Sequence, residues 1–370
     1  MFFKKVGTLV LAGTLLLSLS GCAKGPEGVA ASVNKVDVQM EDFYKSYAVR
    51  RNQYISQSGG DEKVLENLVD PTGKQSKLTI DQYLKQVAIK DLTETEALKQ
   101  DALANDIKVE DKEIDEIIDN YKAQLGGEEG LKAYLDSMGI PLDYLKEVIY
   151  NQTLIGKYTQ DKFNKVKVTD DEVKKYYDDN KDTFFKAKAS HILVKDLKKA
   201  NLLRKDIKKG KDFAEVAKLE SEDTGSARNG GELGEFTNGQ MVESFDKAIR
   251  DLKEGEISEP IQSNYGFHII KLEKKSARTF DEVKEELKNK LTQEKYQKEI
   301  KDVIDKAKIK TYVDPKKDLE LPDEYKNYGK VKTDTANTEE AANESANKEA
   351  NASAKNGEAE KTESAEKNEK

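Results

Sequence analysis

Between Ala187 and Glu273 the chain sets short β-like runs among its helical patterns, a signal that the mainly helical residues 30–180 largely lack. Both of its histidines fall in this segment. His191 lies in Ala189-Ser190-His191-Ile192-Leu193-Val194, and His268 in Tyr265-Gly266-Phe267-His268-Ile269-Ile270. Two histidines, each inside such a run, predict one site closed by two distant strands. Lys188 to Val194 reads as a buried strand, followed by helical patterns over Leu197 to Lys209 and Phe213 to Leu219. Gly210 is a natural stop for the first helix and Asp212 a fair cap for the second. Ser221 to Asn229 is polar loop, and Gly230-Gly231 lets the chain turn into Leu233 to Phe236. A helix over Met241 to Leu252 and closing strands at Pro260-Ile261 and Phe267 to Leu272 complete a β-α-α-loop-α-β-β order, with a turn at Asn264-Tyr265-Gly266.

The chain has 370 residues, room for two or three domains, yet 36% of residues are hydrophobic and 36% charged, so the cores are modest. A net charge of −8, from 63 basic and 71 acidic residues, makes nucleic acid a poor partner. The single cysteine, Cys22, excludes an internal disulfide. Lys4 and Lys5 precede an apolar run from Val6 to Leu19, the pattern of a secretory signal over residues 1–21. That run is shorter than the roughly 20 residues that span a bilayer. Leu19-Ser20-Gly21-Cys22 resembles the bacterial lipoprotein consensus, which implies cleavage before Cys22 and a lipid thioether on it. The plain alternative is an ordinary signal peptide with an incidental cysteine. Residues 22–29 are then a tether.

Residues 30–186 read as mainly helical after a small hairpin turning at Asn34-Lys35. A first helix runs from Glu41 to Gln57, followed by a polar stretch to Lys77. Thr79-Ile80-Asp81-Gln82 has capping-box spacing and opens a long helix, and similar starts stand at Glu110 and Thr169. Pro141 suits the first position of a further helix. No acid–base constellation is visible in this part. Residues 274–328 open on another capping box, Thr279-Phe280-Asp281-Glu282, and continue as a helix of about 28 residues with one apolar stripe. That stripe needs a partner. The N-terminal helices are favoured over a second copy in a homodimer, because the stripe is not sustained in heptads. Residues 329–370 hold too little apolar surface to offset their ordering entropy and are expected to be disordered.

The middle segment resembles the parvulin family of peptidyl-prolyl isomerases. The resemblance is carried by His191, Phe213, Ala217, Ser221, Asp223, Gly230-Gly231, Leu233-Gly234, Met241, Phe245, Gly255, Ile257-Ser258, Pro260, Tyr265-Gly266 and His268-Ile269-Ile270. The whole chain is similar to PrsA-type foldase lipoproteins, with a looser likeness of residues 30–180 to the helical chaperone segment of SurA-like proteins. This implies an α+β fold in which a parvulin-like β-α-β domain, residues 187–273, is inserted in a mainly helical chaperone domain built from N- and C-terminal segments. It implies that His191, Asp223 and His268 form a polar catalytic network, with Leu233, Met241 and Phe245 lining a proline pocket and Tyr265 at its edge. Two alternatives stay open: the histidines as buried structural partners, and Met241 and Phe245, four apart, as core residues of one amphipathic helix.

The barrier to turning an X-Pro bond is amide resonance, about 18–20 kcal/mol, so the reaction requires no cofactor, metal or nucleophile in principle. A metal site from the histidines and Asp223 has no ligand spacing in the sequence to support it. The resemblance implies, as partners, unfolded or partly folded secreted proteins with X-Pro bonds and, through the lipid on Cys22, the outer face of the cytoplasmic membrane of a Gram-positive-type bacterium. The alternative function is a non-enzymatic holdase using the same fold as a peptide clamp. A solute-binding lipoprotein would need repeated strand–helix units, which the sequence does not offer outside the middle segment. Two departures bear on substrate choice. Lys195-Asp196-Leu197-Lys198-Lys199 stands where phosphate-specific parvulins carry an arginine-rich loop, so phosphorylated substrates are not expected. Glu232 and Glu235 replace the Asp and Trp of related foldases.

Overall fold

The computed structural model describes residues 25–70 and 77–330. The expected signal segment, Cys22 and residues 331–370 of the expected tail lie outside the described residues. The described residues form two compact units, one drawn from residues 25–70, 77–160 and 300–330 and the other from residues 161–299.

The first unit opens on strands β1 (Val29–Val33) and β2 (Val36–Gln39). Asn34 and Lys35 between them have φ of 50° and 77°, the left-handed pair that joins two strands with matching twist. Helices α1 (Met40–Gln57) and α2 (Ile80–Ala104) follow, and the expected capping box of Thr79 and Gln82 is formed. Next come α3 (Asp111–Leu125), α4 (Glu128–Met138) and α5 (Leu142–Lys165). Gly126, at φ 87°, ends α3 in a left-handed cap, and Pro141 precedes α5 rather than opening it. One core gathers Phe43, Tyr47, Ala88 and Ile89 with Val313, Leu321 and Tyr325 from the far end of the chain. A second joins α3 to α5 through Ile114, Ile118, Leu131, Leu135 and Ile149.

In the second unit, α6 (Asp170–Asp179) starts on the capping box of Thr169 and Glu172. Strand β3 (Phe185–Val194) leads to α7 (Leu197–Lys208) and α8 (Phe213–Glu220). After β4 (Glu232–Thr237) come α9 (Glu243–Asp251), β5 (Ile261–Ser263) and β6 (Gly266–Ala277). The antiparallel sheet has the order β4-β3-β6-β5, so the two histidine strands are its centre. His191 pairs with Ile270, and Leu193 with His268. Paired residues and every second residue share a face, so Ala189, His191, His268, Ile270 and Leu272 face one side. There Phe245, Ala248 and Ile249 of α9 cover them. Ile192, Val194 and Ile269 face the other side, against α7 and α8.

Helix α10 (Phe280–Lys306) then begins on the capping box of Thr279 and Glu282. Val283 and Leu287 of its stripe pack on Val173, Tyr177 and Phe184, and Lys284 and Lys295 ion-pair with Asp170 and Glu172 at 2.7 and 2.6 Å. This part of the stripe has found its partner in α6. Past α10, β7 (Ile309–Thr311) adds to β1, giving the first unit a sheet of order β2-β1-β7. Three residues with no alternation to speak of left that strand invisible in the sequence. A second expectation is corrected at α9. The helix begins after Val242, whose backbone is extended (φ −63°, ψ 148°) and whose carbonyl accepts the first helical bond, from Asp246, at 3.1 Å. Met241 therefore lies outside the helix, and its spacing from Phe245 is not a helical turn.

Candidate active site

The site forms where β4 stops short. Beyond the Ser190–Glu232 pair, β3 loses its neighbouring strand, and its exposed N–H and C=O groups are taken by the loop after α8. His191 N–H donates to Gly231 O at 2.8 Å, Leu193 N–H to Ser221 Oγ at 3.1 Å, and Glu222 N–H to Leu193 O at 2.7 Å. These bonds press the loop along the strand edge and set Asp223 beside His191. Gly231 is required there: its φ is +84°, and a Cβ would stand 2.2 Å from His191 O.

Both imidazoles are nearly covered, His191 at 6% and His268 at 5% exposure. Their rings stack at 5.3 Å between centroids, and Phe245 stands edge-on to both, at 6.0 and 5.7 Å. His191 Nδ1 meets His268 Nδ1 at 3.1 Å, His191 Nε2 meets Asp223 Oδ2 at 2.7 Å, and His268 Nε2 meets Ser263 Oγ at 2.7 Å. Ser226 Oγ–H donates to Asp223 Oδ2 at 2.5 Å and Gly225 N–H to Oδ1 at 3.1 Å. Burial raises the Asp223 carboxyl, but these donors and His191 outweigh it and hold the group down at about 2. Burial, with the neighbouring His191, pushes His268 down to about 4.

Those directions order the protons. An ionised Asp223 accepts from His191 Nε2–H, which leaves His191 Nδ1 as acceptor when that ring is neutral. His268 then donates from Nδ1, and its Nε2 accepts from Ser263, whose Oγ in turn accepts from Tyr265 N–H at 3.0 Å. Every polar atom of the chain from Ser263 to Asp223 has its partner with both imidazoles neutral. A buried network satisfied in this way is rigid.

Leu233 and Met241 lie half-buried against the fully buried Phe245, with Phe236 and Ile261 beside them. The expected residues are thus gathered, with Phe245 as a floor and Leu233 and Met241 nearer the surface. Tyr265 differs: it is 60% exposed, and its backbone O accepts from Lys195 Nζ at 2.7 Å. Ser226 and Ser263 were not among the sequence expectations. Ser226 stands three residues after Asp223, a local signal for a side-chain bond, whereas nothing in the sequence links Ser263 to His268. Among the described residues no group of three or more His, Cys, Asp or Glu side chains is placed to hold a metal ion.

A model of the SurA-like N-terminal domain matches residues 3–159, and a model of the PPIC-type PPIase domain matches residues 186–274. The foldase protein PrsA of Caldanaerobacter subterraneus subsp. tengcongensis is 34% identical over 298 residues, which cover 80% of this chain and 90% of that relative. The chain belongs to the PrsA foldase family. The foldase protein PrsA of Geobacillus sp. is 32% identical over 307 residues, covering 81% of this chain and 94% of its own. That of Bacillus subtilis is 33% identical over 329 residues, covering 87% and 94%. As a PrsA-family protein, the chain is a parvulin-type peptidyl-prolyl cis-trans isomerase with a SurA-like chaperone part, acting on unfolded proteins.

Proposed function

We propose that isomerisation takes place over the Asp223–His191–His268 network, with the proline ring held by Leu233, Met241 and the floor at Phe245. The observation carrying this reading is the closed hydrogen-bond chain from Asp223 to Ser263 lying against that apolar surface. A planar amide is charge-separated, negative at oxygen and positive at nitrogen, whereas the twisted amide has lost that separation. An apolar, water-excluding surface therefore disfavours the planar state more than the twisted one. A carboxylate beside the carbonyl oxygen adds to the same effect, and Asp223, ionised and already accepting three hydrogen bonds, acts there through its charge rather than as a nucleophile. The histidines hold that charge in place without transferring a proton. Tyr265 covers the outer edge of the substrate.

The same reading extends to the ends of the chain. Cleavage before Cys22 and lipidation of it hold the body at the outer face of the cytoplasmic membrane, where newly translocated proteins with X-Pro bonds are the clients. Among the described residues no helix is long and apolar enough to cross a membrane. The decisive experiment is proline-limited refolding of a model protein with the wild type, Asp223→Ala and Met241→Ala. Each variant is expected to lose about tenfold or more in rate, which is about 1.4 kcal/mol of transition-state stabilisation. Full activity in both would remove the site assignment.

A further inference from the structure

Helix α7 presents a surface that neither the isomerase site nor the core uses. Its inner side, Ala200 and Ile207 with Leu203, is committed to the sheet. At 3.6 residues per turn, Leu197, Lys208, Asn201, Lys205, Lys198 and Leu202 fall, in that order, within about 140° of one another around the axis. All six are exposed, Leu197 at 45% and Leu202 at 62%. No carboxylate shares that arc. The helix's one acidic residue, Asp206, lies outside it and is half-buried, paired with Lys211 at 2.6 Å. Lys199 and Arg204, flanking the arc, are held by Glu220 and Glu259 at 2.9 and 2.5 Å. The Lys199–Glu220 pair also draws in the end of α8, where Leu219 is 79% exposed.

A chain of net charge −8 thus carries one helix face that is purely cationic and edged by bare leucines. Lysines alone would suit any polyanion. The leucines on the same face, exposed to water and outside the core cluster beneath the helix, favour an interface with charge at its surface and hydrocarbon just beneath. That is the chemistry of an interfacial helix on an anionic bilayer. We propose that α7 is a docking face for anionic lipid surface, with Lys198, Lys205 and Lys208 at the headgroups and Leu197 and Leu202 entering the acyl boundary. The inference goes beyond the isomerase reading. From that reading it takes only the mature form beginning at residue 22.

The test uses that mature chain with Cys22→Ser, so that no lipid contributes, in co-sedimentation with phosphatidylglycerol–phosphatidylcholine vesicles. Binding is expected to be lost on pure phosphatidylcholine and to weaken with salt. Each lysine near such a surface is worth about fivefold, so Lys198→Gln, Lys205→Gln and Lys208→Gln together should weaken binding about a hundredfold. Leu202→Asn should weaken it by about tenfold. A control triple, Lys112→Gln, Lys132→Gln and Lys310→Gln, changes net charge equally and should bind as the wild type. Equal loss in the control, retained binding in the α7 triple, or equal binding to pure phosphatidylcholine overturns the proposal. So does displacement by polyglutamate with Leu202→Asn binding unchanged, which would make the partner an acidic polymer. Isomerase activity measured on the same samples reads out the other proposal separately, and the α7 variants should keep it.

Discussion

His268 stays neutral inside the sheet because its near-complete burial leaves a charge there almost without water to solvate it, and the neighbouring His191 adds to that effect. Its folded pKa of about 4 lies below the ordinary 6.5. Between those values the unfolded chain binds more protons than the folded one, so stability rises with pH there. The contribution is complete above about 6.5 and is lost as pH falls through about 4. Asp223, at about 2 against 3.8, adds the same sign in a lower window. Urea midpoints between pH 7.5 and 4.5 should therefore fall with pH, and His268→Phe should flatten the upper part of that slope. A second residue-scale prediction concerns Gly231. Its left-handed backbone alone costs an L-residue about 1–2 kcal/mol, and a methyl group would also meet His191 O. Gly231→Ala should lower the melting temperature and the isomerase rate together, and an unchanged rate would count against the loop's part in placing Asp223. The family likeness pointed to Asp223 and both histidines, and the paired strands bring the three side chains together. It could not find Ser263, whose bond to His268 exists only once β5 and β6 are paired.

At the scale of elements, α9 is held by a device that no helix pattern announces. Lys275 of β6, seven residues beyond His268, donates from Nζ to the carbonyls of Ile249, Arg250 and Leu252 at 2.9, 2.7 and 2.7 Å. A cation there satisfies the last turn of the helix and suits the negative end of its dipole. It ties the helix of Phe245 to the strand of His268. Lys275→Met would leave those carbonyls without their donor, at a cost of about 1–3 kcal/mol. The expected outcome is a lowered urea midpoint with a raised KM for a proline peptide. A lowered midpoint with an unaltered KM would make Lys275 a purely structural cap. The helix starts at Thr79, Thr169 and Thr279 were legible, since a capping box is a bond between residues three apart. The start of α9 was not. Met241 looks helical by spacing, but the chain must first turn out of the sheet, and Val242 takes the extended conformation that allows it.

For the whole molecule, the C-terminal stretch past α10 is part of the first unit's core rather than an appendage. β7 pairs with β1, and Val313, Leu321 and Tyr325 are buried with Phe43 and Tyr47. Two polar side chains pin it. Asn52 donates to the carbonyls of Lys326 and Tyr328 at 2.9 and 2.8 Å. Lys85, ion-paired with Asp81 at 2.7 Å, donates to Lys317 O at 3.0 Å. Ending the chain after Lys310 should unfold the first unit, seen as loss of helical circular dichroism, while the network around His191 is left intact in the second. Asn52→Ala should cost about 1–3 kcal/mol by leaving two carbonyls without their donor. The network is drawn wholly from residues 191–268, and the first unit has cores of its own. Suppression of client aggregation should therefore survive Asp223→Ala. Its loss there would mean that the clamp, and not the helical part, is the holdase.

Local physics was readable from the chain alone: the capping boxes, the tight turn at Asn34-Lys35 and the Gly-Gly turn before β4. So was the class of fold, because the ordered set of residues around the two histidines carried the likeness to the parvulin family. What the chain order could not supply was contact between residues far apart along it. The register that brings His191 within reach of His268, the loop that replaces β4 at the edge of β3, the three-carbonyl grip of Lys275 and the return of the C-terminal stretch onto β1 all depend on pairing. Such bonds pass between groups whose meeting is fixed by the packing of everything between them. The two histidines mark the segment in the sequence, and only the paired strands turn them into one chain of protons ending on Asp223.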